Sequence, residues 1–125
     1  RLGCGIRGCG VLRAMAGAAR LGIMPWADGS IPSHRRYMER LQILDRLAGE
    51  IALNMSVDDS ARGEGTYARL VEAGTTLKSH GAGVVILGCA GMARHRRTLE
   101  TELGIPVIDP VQAAVTMAFG ALLAG

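Results

Sequence analysis

Cys89, in the run Leu87-Gly88-Cys89-Ala90-Gly91-Met92, is the side chain best placed to do chemistry. It follows Val84-Val85-Ile86-Leu87, a continuous apolar run of the kind found in strands buried on both faces. Gly88 and Gly91 flank it and permit a tight turn with the thiol at its apex. A thiol at a helix N-terminus lies at the positive end of the helix dipole, beside backbone N–H groups that have no partner in the helix. Both effects favour the thiolate, which is the reactive form. The N–H groups of Ala90, Gly91 and Met92 can also bind a carboxylate or an enolate oxygen. The competing reading is a buried structural cysteine, since free cysteine is among the most buried residue types. Position alone leaves the two readings balanced.

The other polar groups read more plainly. Gly3-Cys4-Gly5-Ile6-Arg7-Gly8 has the glycine spacing of a dinucleotide loop, but only Arg1 and Leu2 precede it, so the strand that such a loop requires is missing. Cys4 and Cys9 share one short spacing without a second ligand pair, and they read as two ordinary thiols rather than a zinc site. Arg94, His95, Arg96 and Arg97 fall in the first turn of an expected helix, where the dipole disfavours positive charge. The favoured reading is a solvated face with Arg96 paired to Glu100 at i,i+4. Steering of an anionic substrate toward Cys89 is the rival. His34 reads as a surface residue, His80 as a helix end and Asp109 as a helix cap.

These residues need a scaffold, and the hydrophobic periodicity supplies one. A helix is expected over 11–19 and a strand over 20–25, with a turn at Asp28-Gly29-Ser30. Ser30 is the expected N-cap of the next helix, with Pro32 in its first turn. Tyr37, Leu41, Leu44 and Ala48 then recur at helical spacing, and Gly49 is the expected stop. Ile51, Leu53, Met55 and Val57 alternate as in a strand. Tyr67, Leu70, Val71, Gly74 and Leu77 form one face of a helix ending near His80. After the 84–87 strand come a helix over 93–103, a short strand over 106–108 and a last helix begun by Pro110 and capped by Asp109. The repeated β-α order implies an α/β fold, a Rossmann-like parallel sheet flanked by helices. Ligands of such sheets sit outside the carboxyl ends of the strands. The ends at Trp26 to Ser30 and at Gly88 to Met92 are therefore the candidate site. The last helix is apolar on nearly every side, which calls for a partner surface.

Composition narrows the function classes. The chain has 125 residues, enough for one domain, and 49% are hydrophobic, enough for a core. Gly is plentiful at 18 residues and aromatics are only 3%, a pairing that suits a parallel α/β domain. A net charge of +3 and a pI near 9.1 suit an anionic small molecule and give little support to nucleic-acid binding. The three cysteines do not form a secreted disulfide framework, so a cytoplasmic location is expected. No signal peptide is visible, and the longest apolar stretch, 111–124, is shorter than the roughly 20 residues of a membrane span.

The block over 84–92, with Gly-Cys-Ala-Gly-Met after a buried strand, resembles the aspartate/glutamate/hydantoin racemase superfamily. The likeness continues through Gly104-Ile105-Pro106-Val107-Ile108-Asp109-Pro110 and appears at Leu21-Gly22-Ile23 and Ser30-Ile31-Pro32. It implies one lobe of a two-lobe fold, the C-terminal lobe over 20–125, behind a glycine-rich segment and short helix over 1–19. It further implies a racemase without cofactor or metal, in which one cysteine thiolate removes a proton alpha to a carbonyl and a second thiol returns one to the opposite face. By this resemblance Cys89 is the C-terminal-lobe cysteine. Backbone groups of Gly29, Ser30, Ala90 and Gly91 would then hold the oxygens of a carboxylate or hydantoin-like substrate. Hydantoin-like and allantoin-like substrates are favoured over free aspartate or glutamate. The strand-borne first cysteine of the family has no counterpart here, which implies a missing N-terminal lobe or a homo-oligomer, and reduced activity of the chain alone. Two alternatives stand beside this one. An arylmalonate-decarboxylase-like enzyme needs a single cysteine, and a non-catalytic truncated α/β module needs none.

Overall fold

The computed structural model describes residues 9–11, 20–55, 65–88 and 90–124. Four parallel strands form its sheet: β1 (Leu21–Met24), β2 (Leu47–Glu50), β3 (Val84–Leu87) and β4 (Val107–Ile108), in the spatial order β2-β1-β3-β4. Among the described residues they are accompanied by α1 (Ile31–Arg40), α2 (Thr66–Ser79), α3 (Arg96–Leu103) and α4 (Pro110–Ala124), and residues 9–11 are also helical. The α/β class and parallel sheet expected from the sequence are what the chain adopts.

Strand alternation divides the core in two. Val85 and Leu87 of β3 face α2 and α3, where they meet Leu70, Ala73, Leu77, Leu99 and Leu103. Val84 and Ile86 face the other way with Leu21 and Ile23, toward Met38 of α1 and Ala113 of α4. The result is a three-layer sandwich. Gly22 of β1 and Gly49 of β2 are register partners, and together they make a shallow seat for Leu77. A Cβ on Gly22 would lie 3.0 Å from the Leu77 side chain, and one on Gly49 3.3 Å from it. Part of the high glycine content is therefore spent on letting a helix approach the sheet closely.

Several expected elements are present as read. α2 ends at His80 as its C-cap, and Arg96 lies 3.8 Å from Glu100. Asp109 caps α4, with its Oδ1 accepting from the Val111 amide at 3.1 Å. Others shift. The helix expected to run through Ala48 stops at Arg40, because Gln42 adopts a left-handed φ of 59°. Leu47 and Ala48, the tail of that expected helix, instead begin strand β2, which runs on through the expected stop Gly49 to Glu50. The alternating strand expected from Ile51 onward does not form: β2 ends at Glu50, although the Ile51 and Leu53 amides still donate to the carbonyls of Ile23 and Pro25. Val57 lies outside the described residues, as does most of the helix expected over 11–19.

α4 is half-clothed. Ala113, Ala114 and Met117 pack on the core, whereas Val111, Val115 and Leu123 are exposed. Among the described residues no helix is long and apolar enough to cross a membrane.

Candidate active site

In a sheet ordered β2-β1-β3-β4 the chain leaves β1 toward one edge and later returns on the other side. The crevice between the carboxyl ends of β1 and β3 is thus the topological switch point, where ligands of such folds bind. A cavity of about 340 Å³ opens there. Its apolar walls are Val11, Ile23, Met38, Ile86, Leu87 and Pro110, and His34 and Tyr37 bring polar atoms to it. Gly88 closes the β3 end.

Gly88 joins the two strands at this point. Its amide donates to the Met24 carbonyl at 2.9 Å. A Cβ at Gly88 would lie 2.5 Å from Pro25 Cα and 2.7 Å from the Met24 oxygen, both backbone atoms that cannot swing aside. Glycine is required here by close approach. Cys89, the next residue, lies outside the described residues, but both its neighbours are placed. Ala90–His95 forms a 3-10 helix, anchored by the buried Met92. The first α-helical residue is Arg96, so the α-helix dipole expected to act directly on Cys89 begins seven positions later. What remains beside Cys89 is the run of early 3-10 amides, which includes Ala90 and Gly91.

The Trp26–Ser30 end is built differently. Asp28–Ser30 is a 3-10 turn, and Gly29 is exposed with open space around it. Ser30 occupies the N-cap position of α1 but makes no capping bond, since its hydroxyl donates to the Ala27 carbonyl at 3.0 Å. The Asp28 carboxylate accepts from Asn54 Nδ2 at 2.9 Å, and the Asp28 amide donates to Asn54 Oδ1 at 3.2 Å. Asn54 holds this position with a left-handed φ of 51°, a conformation that asparagine tolerates well. Gly29 and Ser30 are absent from the cavity wall, and Cys89's described neighbour Gly88 is on it.

The structure brings forward two groups that the sequence did not mark as functional. His34 lines the cavity instead of facing outward, and its Nδ1 lies 2.8 Å from Oε2 of Glu50. The Glu50 side chain is 2% exposed, and its other oxygen has no hydrogen-bond partner. Sixteen residues separate the pair, so no local spacing could have announced it. Cys9 also departs from its expected role as an ordinary thiol. It is buried on the cavity side of the sheet and disulfide-bonded, while Cys4 and Cys89 lie outside the described residues.

The cationic run after Cys89 is mostly occupied elsewhere. Arg96 pairs with Glu100, whose Oε1 also accepts from the Val107 amide at 2.9 Å. Arg94 Nε donates to His95 Nε2 at 3.2 Å. Partial burial, with the charge of Arg94 as a second cause, holds the His95 pKa below its ordinary value. Among the described residues no group of three or more metal-binding side chains comes together.

Comparison with known proteins agrees with this geometry. A family model described as Asp/Glu/Hydantoin racemase matches residues 4–118. A 42-residue stretch is 52% identical to the hydantoin racemase of Paenarthrobacter aurescens, covering 34% of this chain and 18% of that protein. A similar stretch is 50% identical to the hydantoin racemase of Pseudomonas sp. (strain NS671), over 34% of this chain and 17% of that one. The allantoin racemase of Klebsiella pneumoniae superposes with a TM-score of 0.85 at 28% identity, covering 97% of this chain and 50% of that one. The allantoin racemase of Pseudomonas fluorescens gives 0.84 at 25% identity, over 96% and 52%. The chain thus spans about half the length of these two solved enzymes.

Proposed function

Because the chain belongs to the Asp/Glu/hydantoin racemase family, we propose that it supplies an acid/base thiol, Cys89, for proton transfer at the carbon alpha to a carbonyl of a hydantoin-like or allantoin-like ring, with no cofactor. The observation that carries this reading is a coincidence of motif and place. The Gly-Cys-Ala-Gly-Met run sits inside the family match and follows the strand whose end closes the switch-point cavity.

In this reading the Cys89 thiolate takes the proton from the ring carbon. The electron pair left behind moves onto the adjacent carbonyl oxygen. The amides of Ala90 and Gly91 hold that enolate oxygen, and donors aimed at developing charge lower the barrier most. Gly29, exposed at the neighbouring strand end, enters as a further donor to the substrate's oxygens, whereas the Ser30 amide and hydroxyl already donate to the Ala27 carbonyl. The mostly apolar wall keeps water from the carbanion and strengthens those contacts.

One thiol returns the proton to the face it came from. Inversion needs a second acid on the opposite face, and in this family's two-thiol scheme that group belongs to an N-terminal lobe. Cys9 is not assigned the role, since it is buried and disulfide-bonded.

The test is incubation with L-5-isopropylhydantoin in deuterated buffer containing a thiol reductant. NMR reads deuterium at the ring carbon, and chiral chromatography reads inversion. The expected result is deuterium incorporation that outpaces inversion and disappears in Cys89→Ser. Exchange no faster than without protein, or equal in Cys89→Ser, would remove Cys89 from the chemistry.

A further inference from the structure

The His34–Glu50 pair has no part in the thiol chemistry, yet it is an expensive thing to build. A carboxylate that is 2% exposed, with one oxygen lacking any partner, is retained against its desolvation cost. Its remaining oxygen holds His34 Nδ1 at 2.8 Å. Where Glu50 is ionised it only accepts, and Nδ1 carries the proton of that bond. This fixes the ring and leaves Nε2 as the polar atom of His34 still free to act on a ligand. His34 lines the cavity among apolar side chains.

We propose that His34, oriented by Glu50, is the polar anchor of the cavity and binds the N–H/C=O edge of a neutral cyclic ureide. The proposal rests on the function proposed above and deepens it by naming the group that selects the ring. As neutral imidazole, Nε2 accepts a ring N–H; as imidazolium, it donates to a ring carbonyl. A ureide ring alternates these groups, so it has a complement for either state. A free amino-acid carboxylate is matched only by the imidazolium, and it would also face the negative charge of Glu50 one ring away. The mostly apolar wall likewise favours a neutral ring over an ion. Glu50 is then a positioning residue, acting through His34.

The test uses the whole chain with labelled methyl groups, titrated by NMR with 5-isopropylhydantoin and, separately, with toluene as an apolar probe of the same cavity. In the unmodified protein, hydantoin should shift the His34 ring nitrogen and the methyls of Ile23 and Ile86. His34→Phe keeps a ring without its nitrogens. It should weaken hydantoin binding at least tenfold and leave toluene binding within twofold. His34→Gln, which restores a polar terminus, should recover part of the loss, and Glu50→Gln should weaken hydantoin binding severalfold.

Absence of hydantoin binding by the unmodified protein would overturn the anchor. So would equal hydantoin affinity in His34→Phe, or parallel loss of both probes, which would give His34 a purely structural role. The outcome is separable from that of the Cys89 experiment. Hydantoin that binds through His34 without deuterium exchange leaves the anchor standing and sinks the racemase reading. Exchange that persists undiminished in His34→Phe does the reverse.

Discussion

On one face of the sheet, Leu70, Ala73 and Leu77 of α2 and Leu99 and Leu103 of α3 close over Met24, Val85 and Leu87. On the other, α1 and α4 cover Leu21, Ile23, Val84 and Ile86 but leave a cavity of about 340 Å³. The first face is leucine against paired glycines, with Tyr67 at its margin. The second holds a buried carboxylate, an imidazole and a disulfide-bonded cysteine. One face is packed for stability and the other holds the cavity, and the sheet between them is shared. Function in this architecture can therefore change on one side without repacking the other.

Substitutions on the two faces should separate accordingly. Leu77 fills the seat made by Gly22 and Gly49 and is fully buried. Leu77→Ala should cost about 2–5 kcal/mol in a urea melt. The hydantoin affinity of the protein that remains folded should not change; a matching loss of affinity would show that the faces are coupled. Met38 is 1% exposed but lines the cavity. Its truncation to Ala merges with existing space instead of opening a sealed void, so the cost should be nearer the transfer value of about 2 kcal/mol. Unlike Leu77→Ala, it should shift preference toward hydantoins with bulkier 5-substituents, read by competition binding. No shift in preference would mean that Met38 does not border the bound ligand.

The smallest effect concerns His95, whose ring stacks obliquely near Tyr67 at 5.7 Å on the packed face. Its pKa is held below the ordinary 6.5 by partial burial and then by Arg94. As pH falls through 6.5, the unfolded chain takes up a proton that the native ring refuses. Stability should therefore fall with falling pH in the window between 6.5 and the lower native value, and be unaffected above it. His95→Gln should flatten that part of the urea-midpoint profile. An unchanged profile would remove His95 as its source.

The packed face was the more legible of the two in the sequence. Val84–Leu87, α2 and the Arg96–Glu100 pair are set by neighbours within a few residues, which is what periodicity and capping rules report, and across the sheet the Asp109 cap of α4 was legible for the same reason. The cavity face depends on contacts between distant segments. Leu41, Leu44 and Ala48 continue a helical period, but pairing with β1 turns the last of them into strand, and nothing local marks Gln42 as the break. His34 looked like a surface residue because Glu50, its reason to turn inward, belongs to a strand whose first half falls in that misread stretch. The chemical motif around Cys89 was readable as a string, since residue identity carries it. That Ala90–His95 forms a 3-10 helix rather than the start of an α-helix was not, because both begin with the same short-range bonds.

Glu50 has one more consequence, which concerns the border of the sheet. An outermost strand offers its free backbone groups to strands of other chains. β4 is only two residues long and makes a poor template. β2, the other outer strand, is longer, but it carries a buried carboxylate whose second oxygen already lacks a partner. A foreign strand laid along β2 would seal that charge further from water. Glu50, proposed above to orient His34, would then also make β2 a costly edge to extend.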